Sequence, residues 1–145
     1  MSKQACRKGI ARIIDANINR LKEGLRVCEE VARFSWNDRG ITARLKRVRH
    51  DAEAAIRLLP ERRILFAARD SAGDSGRHLT TERELARAGV CDVFFVNMQR
   101  VKESLRVLEE FSKLIDPAPA RACKELRYSV YTVEKAAMKR MPRAR

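Results

Sequence analysis

Apolar residues recur three and four positions apart along most of the chain, which is the spacing of amphipathic helices. At 100° per residue, the first predicted helix has one continuous apolar arc. That arc consists of Ile14, Leu21, Leu25, Cys28 and Ala32. A later segment has a matching arc of Phe94, Val101, Leu105, Leu108 and Ser112. The pattern predicts an all-α protein.

Turn and cap signals give the boundaries of the long helices. The first helix is predicted from Arg7 to Trp36, ended by the turn cluster at 37–40. Thr42 is predicted to cap the second helix, which Pro60 stops. Its inward stripe is Leu45, Val48, Ala52, Ile56 and Leu59. Pro119 suits the first turn of the last helix. The inward stripe there is Cys123, Leu126, Val130, Val133 and Ala137.

The segment between these helices has a weaker pattern. Residues 64–66 (Ile-Leu-Phe) are predicted to be extended, and a loop of small and acidic residues follows to Gly76. Thr81 and Glu84 have the spacing of a capping box for a short helix that Gly89 would end. The basic tail at 139–145 is predicted to be solvated and frayed.

A stretch of fourteen residues occurs twice. NINRLKEGLRVCEE at 17–30 and NMQRVKESLRVLEE at 97–110 are identical at nine positions, at an offset of 80. The second helices also match, since Lys46-x-x-Arg49 aligns with Lys124-x-x-Arg127. We therefore predict a duplicated helical hairpin that forms a four-helix bundle with pseudo-two-fold symmetry. A mid-chain crossover loop and a short extra helix complete the single domain, 1–145. Its parts are repeat A at about 10–59, a connector at 60–91 and repeat B at about 92–141.

The composition narrows the class of protein. The chain has 145 residues, 45% hydrophobic and 35% charged, and a formal net charge of +13. No apolar run reaches the roughly 20 residues of a membrane span, and the first residues lack the apolar core of a signal peptide. We expect a cytoplasmic protein without a membrane partner, whose four cysteines are reduced. The positive charge favours a phosphorylated ligand, although arginine-rich codon usage alone would also explain it.

The repeated stretch contains two kinds of polar site candidate. Asn17 and Asn97 fall inside the apolar arcs, where an unpaired amide costs about 1–3 kcal/mol. Their partner can be a ligand or the neighbouring hairpin, or the two asparagines can fix the helix register. Arg20 and Arg100 lie at the border of the arcs and could clamp phosphate oxygens. Alternatively, Arg20 forms a salt bridge with Glu23 one turn later.

The acidic loop at 69–76 is a further candidate. Its glycines could present backbone N–H groups to an anion, and Asp70 and Asp74 could hold a magnesium ion. The alternative is a polar connector built from Asx-turns. His50 and His78 are expected to have packing and surface roles.

The residues resemble a known family over nearly the whole chain. IIDANINRLKEGLRVCEEVARF, AARDSAGDSG and VNMQRVKESLRVLEEFSKL, followed by KELRYSVYTVE, occur in that order. They resemble the monofunctional hydroxymethylpyrimidine phosphate kinase domain of thiamine biosynthesis. This small α-helical domain occurs alone and also fused ahead of thiamine-phosphate synthase, whose barrel is missing from this sequence.

The resemblance implies transfer of a phosphoryl group from ATP to 4-amino-5-hydroxymethyl-2-methylpyrimidine phosphate, with Mg²⁺ bound to the nucleotide. We expect Arg20, Arg100 and Arg69 to be catalytic and Asp70 and Asp74 to hold the metal. The residues expected to bind the pyrimidine or the nucleotide are Asn17, Asn97, Arg49, Arg127, Glu23 and Glu103.

Two other functions fit the sequence. One is a basic helical module that binds nucleic acid, which is disfavoured because glutamates are interleaved with the basic residues and aromatic residues are scarce. The other is a regulatory partner domain of thiamine-phosphate synthase. The double-sided character of the first helix also allows a homodimer.

Overall fold

The computed structural model describes residues 1–143, and every regular element in that range is helical, as predicted. The five α-helices are α1 (Lys3–Glu30), α2 (Arg39–Ile56), α3 (Arg62–Ala68), α4 (Val90–Ser112) and α5 (Pro117–Ala137). A π-helical turn, Val31–Ser35, follows α1. Two 3₁₀ turns, Glu82–Leu85 and Met138–Arg140, precede α4 and follow α5.

The four long helices form the predicted bundle of two hairpins. Within the hairpins, α1 packs against α2 and α4 against α5, and the hairpins meet through α1 with α4 and α2 with α5. Both predicted apolar arcs and the predicted stripe of α5 are buried. In the stripe predicted for the second helix, only Ile56 is partly exposed. None of the helices in residues 1–143 is both long and apolar enough to cross a membrane.

The two copies of the repeated stretch cross each other closely in an antiparallel direction. The Cys28 thiol donates a hydrogen bond to the Phe94 carbonyl oxygen over 3.4 Å, and burial raises the pKa of this thiol to about 12. One turn earlier, a Cβ added to Gly24 would lie 2.8 Å from Val101 Cγ2 and 3.2 Å from the Asn97 carbonyl oxygen. In an antiparallel pair of equivalent segments, the two-fold axis passes where equivalent positions face each other. The pairing of Cys28 with Phe94 puts this point beside Leu21 and Val101.

The junction between α1 and α2 differs from the prediction. The first helix starts earlier, at Lys3, and the π-helical turn that follows it ends at Ser35, two residues before Asn37, which has a left-handed φ of 49°. The prediction that Thr42 caps α2 is wrong. Asp38 is the cap, because its Oδ1 accepts the Ile41 N–H at 3.0 Å, and the Thr42 hydroxyl donates to the Asp38 carbonyl oxygen at 2.7 Å.

The connector contains a helix where an extended piece was predicted. Residues 64–66 lie within α3, because Leu65 and Ala68 are spaced to face α1 together on one side of a helical turn. The capping box prediction is also wrong. Thr81 makes no capping bond to the backbone, and its hydroxyl contacts the Glu84 carboxylate at 3.4 Å. The short helix is a 3₁₀ turn that ends at Leu85.

The start of the basic tail is bound to the bundle instead of being frayed. Arg140 Nη2 lies 3.0 Å and Lys139 Nζ 3.4 Å from Asp38 Oδ2, and the Arg140 guanidinium lies over the Trp36 ring. The predicted fraying of Ala144 and Arg145 concerns positions outside the described residues. Asp38 therefore joins the cap of α2 to the end of α5.

Glycine-to-alanine substitutions test the helix crossing. At Gly24, the new Cβ would collide with the stiff Val101 side chain, and overpacking of this kind costs about 1–3 kcal/mol. Gly9 lies in the same helix with nothing within 4 Å of its added Cβ, so there alanine should stabilise by about 0.5–1 kcal/mol. In urea unfolding, Gly24→Ala should be less stable than Gly9→Ala. Equal stabilities would mean that the helices do not approach closely at Gly24.

Acid titration tests the role of Asp38. The Ile41 N–H, followed by Arg140 and Lys139, lowers the pKa of this carboxyl from 3.8 to about 2. A carboxyl with a lowered native pKa stabilises the fold above its unfolded pKa and loses this contribution as the pH falls towards 2. Asp38→Asn should therefore be less stable at pH 7 by roughly 1–2 kcal/mol, and the difference should shrink below about pH 4. Denaturant unfolding of both proteins at several pH values measures this difference in stability. A difference that does not change with pH would show that the pKa of Asp38 is not lowered in the folded protein.

Candidate functional site

A groove of about 650 Å³ lies between α1 and α4 on the pseudo-two-fold axis. Ten residues line it, and they form five pairs of equivalent positions from the two repeats. The pairs are Asn17/Asn97, Arg20/Arg100, Glu23/Glu103, Gly24/Ser104 and Val27/Val107. The duplicated stretch therefore builds both walls of one groove.

Arg20 and Arg100 line this groove from its two walls. The antiparallel register that pairs Cys28 with Phe94 places position 20 across from the region of position 100. Within the described part of the chain, neither guanidinium has a carboxylate at salt-bridge distance, so the alternative pairing of Arg20 with Glu23 does not form. The groove thus contains two guanidinium groups that no carboxylate of the described residues neutralises by direct contact.

The two asparagines hold equivalent positions but differ in their hydrogen bonds. Asn17 Nδ2 donates to the Ile13 carbonyl oxygen at 2.9 Å, and Asn97 Nδ2 donates to Val93 at 2.8 Å. Asn17 Oδ1 accepts from Arg20 Nη1 at 3.5 Å. In residues 1–143, no protein donor reaches Asn97 Oδ1. Each amide is thus anchored through its nitrogen, and only the oxygen of Asn17 accepts a hydrogen bond from the described residues.

Glu23 and Glu103 line the groove on the solvent side, and both are exposed. Glu103 Oε1 accepts a hydrogen bond from Gln99 Nε2 at 3.1 Å. Carboxylates at this place repel phosphate and suit hydroxyl, amine or metal-bound water donors.

A second hollow of about 490 Å³ continues from the groove at Asn17 and Arg20. The acidic loop forms its far wall through Arg69, Asp70 and Asp74. The loop is held in place because Arg69 forms a bidentate pair with the buried Asp15, with Nε–Oδ2 and Nη2–Oδ1 distances of 2.6 and 2.8 Å. Hydrogen bonding to Asp15 raises the pKa of Arg69.

Asp70 and Asp74 both accept a backbone N–H of their own loop, and Asp74 does so two residues on, as in an Asx-turn. Asp70 Oδ1 accepts the Gly73 N–H and Asp74 Oδ1 accepts the Gly76 N–H, each at 2.9 Å. No group of three or more histidine, cysteine or acidic side chains in residues 1–143 is placed to hold a metal ion by itself. Magnesium in nucleotide sites uses one or two carboxylates together with phosphate oxygens and water. The two aspartates fit that mode.

Arg49 and Arg127 lie outside the groove, inside their own hairpins. Arg49 Nε is 2.8 Å from Glu29 Oε2, and Arg127 Nη2 is 2.8 Å from Glu109 Oε2. Both carboxylates are buried, and the bond to Glu109 raises the pKa of Arg127. Each pair ties the second helix of a hairpin to the first, so these arginines have structural partners.

Two features of the site were not singled out from the sequence. Glu29 and Glu109 are identical positions of the repeat, so their shared burial could have been inferred from the wheel. Asp15 breaks the repeat, since Phe95 stands at the equivalent position. A charged residue in one repeat and an aromatic residue at the equivalent position of the other indicate that the surroundings of the two repeats differ.

Stability measurements separate the structural arginines from those of the groove. Arg49→Ala and Arg127→Ala should lower the free energy of unfolding by about 2–3 kcal/mol, because the first leaves the buried Glu29 carboxylate unpaired and the second leaves Glu109 with only the exposed Arg106, 3.5 Å away. The value falls below that of a fully buried pair since the Arg49 side chain is 38% exposed. Arg20→Ala and Arg100→Ala should change it by about 0.5 kcal/mol or less. Equal losses in all four variants in urea unfolding would show that the groove arginines are structural.

Comparisons with known proteins place the chain in a family. It is 46% identical to thiamine-phosphate synthase of Nostoc punctiforme over 91% of this chain and 36% of that protein. The same-named proteins of Synechocystis sp. and Rhodopirellula baltica are 45% and 42% identical, over 90% and 84% of this chain and 37% and 32% of theirs. The chain thus spans about a third of the length of these relatives.

No solved structure matches the chain. A family model does match, over residues 12–136, and this range contains α2, α3 and α4, most of α1 and α5, and every residue of the groove. The chain belongs to the ThiD2 family.

Proposed function

We propose that this protein phosphorylates 4-amino-5-hydroxymethyl-2-methylpyrimidine phosphate with ATP in thiamine biosynthesis. An oxygen of the pyrimidine's phosphate monoester attacks the γ-phosphorus of ATP. The bond between that phosphorus and the β,γ-bridging oxygen breaks, and ADP leaves with the bridging oxygen. The products are the pyrimidine diphosphate and ADP.

The observation that carries this proposal is the pair of arginines on the pseudo-two-fold axis, Arg20 and Arg100. Both reactants are anions, so the main barrier to their reaction is charge repulsion. The nucleophile is already largely ionised at neutral pH, because the second pKa of a phosphate monoester is about 6. Positioning and positive charge therefore suffice, without a strong general base.

The symmetry of the groove also suits this reaction. In the transition state, the transferred phosphoryl group lies between two phosphate oxygens, one on each reactant. That array has approximate two-fold symmetry about the transferred phosphorus. Two equivalent guanidiniums can then contact the group from both sides.

Asp70 and Asp74 would hold magnesium beside the hollow that joins the groove at Arg20. When bound, the ion neutralises nucleotide phosphate charge. The chain's own residues do the remaining work. Arg69 fixes the loop through Asp15, and Arg20 and Arg100 orient phosphate oxygens.

The names of the relatives support a role in the same pathway, because they are thiamine-phosphate synthases. Their length favours a second candidate, in which this domain binds or regulates such a synthase without catalysis. The two functions differ in turnover: a partner domain alone would form no ADP.

Turnover by the purified chain tests the proposal. With ATP, magnesium and the pyrimidine phosphate, we expect the diphosphate and ADP in equal amounts, and little product from the unphosphorylated alcohol. Arg20→Ala and Arg100→Ala should each lower kcat by about 100-fold or more, the effect of removing one donor to a transition-state oxyanion.

Arg26→Ala is the matched control, since Arg26 is exposed on the same helix outside this groove. It should retain the native rate. Absence of diphosphate with the unmodified protein would overturn the kinase proposal and favour the partner-domain role. Loss of rate in Arg26→Ala as large as in Arg20→Ala would show that the two groove arginines have no special role.

A further inference from the structure

The groove is nearly symmetric, but its surroundings are not. The end at Asn17 opens into the hollow of the acidic loop, and this hollow does not reach the end at Asn97. The cause lies in one pair of equivalent positions. Asp15 binds Arg69 and so draws the loop against α1, while Phe95 at the matching place on α4 packs against Phe94 with ring centroids 5.1 Å apart.

Charge is also distributed unequally. The hollow at the Asn17 end adds Arg12 to Arg20, and Arg12 Nη2 donates to the Asp70 carbonyl oxygen at 3.3 Å. It also contains both carboxylates suited to magnesium, Asp70 and Asp74. A chain of three phosphates with a bound metal requires more space, more cations and more oxygen ligands than a monophosphate does.

The Asn97 end differs in shape and hydrogen bonding. Gly24 lies beside Asn97 and lets the helices approach closely, whereas the equivalent position near Asn17 holds the side chain of Ser104. No protein donor in residues 1–143 reaches Asn97 Oδ1, while Asn17 Oδ1 accepts from Arg20. An amide oxygen that lacks a protein donor, in a tight recess, suits the amino group of a small heterocycle.

We propose that the two halves of the groove have different substrates. The end at Asn17, extended by the loop that Asp15 and Arg69 hold, binds the nucleotide and its phosphates. The end at Asn97 binds the aminopyrimidine, with Asn97 Oδ1 accepting its exocyclic N–H. Arg20 and Arg100 contact the transferred group between them. This assignment rests on the proposed kinase function.

Asp15 and Arg69 are positioning residues in this arrangement, since they act through the loop. Their removal should weaken nucleotide binding without changing the pyrimidine end. Asn97, in contrast, contacts substrate directly. The structure thus assigns opposite kinetic effects to variants on opposite sides of the axis.

The test compares, for each variant, the change in KM for ATP with the change in KM for the pyrimidine phosphate. Asn97→Ala should raise KM for the pyrimidine phosphate about tenfold and leave KM for ATP within about twofold. Arg69→Gln and Asp70→Asn, both at exposed positions of the loop, should raise KM for ATP by a similar factor and leave the pyrimidine unaffected. Calorimetric titration with magnesium-ADP and with the pyrimidine phosphate, each alone, measures the same difference without turnover.

Asp15→Asn should have the same effect as Arg69→Gln, because the two residues hold the loop together. If Asp15→Asn does not fold, Arg69→Gln tests the same pair. If Asn97→Ala instead raised the KM for ATP and the loop variants raised the KM for the pyrimidine phosphate, the nucleotide would bind at the other end and the inference would be overturned. Equal changes in both KM values would show that the halves do not divide the substrates. In either case, turnover by the unmodified protein would leave the kinase proposal intact, whereas absence of turnover would remove both.

Discussion

The close antiparallel crossing of α1 and α4 is the constraint on which the rest of this structure depends. Gly24 leaves no room for a side chain against Val101, so the two copies of the repeated stretch are held at a fixed register. Their apolar arcs then face the same core, and their polar residues face the same groove. Burial of these arcs stabilises the crossing, and it places Arg20 and Arg100 in the lining of one groove.

Much of the bundle could be predicted because the relevant information is local. The arcs around Leu25 and Leu105 and the match between Arg49 and Arg127 required only helical spacing and self-comparison. Residues 64–66 were misread because three consecutive apolar residues have neither the period of a strand nor that of a helix. Their burial against α1 decided the outcome. Residue type favours Thr42 as a cap, but Asp38 has both the cap geometry and a cation from the 3₁₀ turn that follows α5.

The candidate site was harder to predict than the fold. Sequence comparison identified Asn17, Asn97, Arg20 and Arg100, and the structure places all four in one groove. It could not separate them from Arg49 and Arg127, because an arginine that pairs with a buried glutamate and an arginine without a carboxylate partner among the described residues are the same residue type. The loop at 69–76 depends on the pairing of Arg69 with Asp15 across 54 positions of sequence, which no local pattern reveals.

The covalent connection between the two hairpins has an evolutionary consequence. A homodimer of identical hairpins would have identical ends, so any substitution that improved one end would appear in both. Once the halves are joined in a single chain, position 15 can be aspartate while position 95 is phenylalanine. Duplication followed by fusion thus frees a symmetric binding surface to specialise, one half at a time.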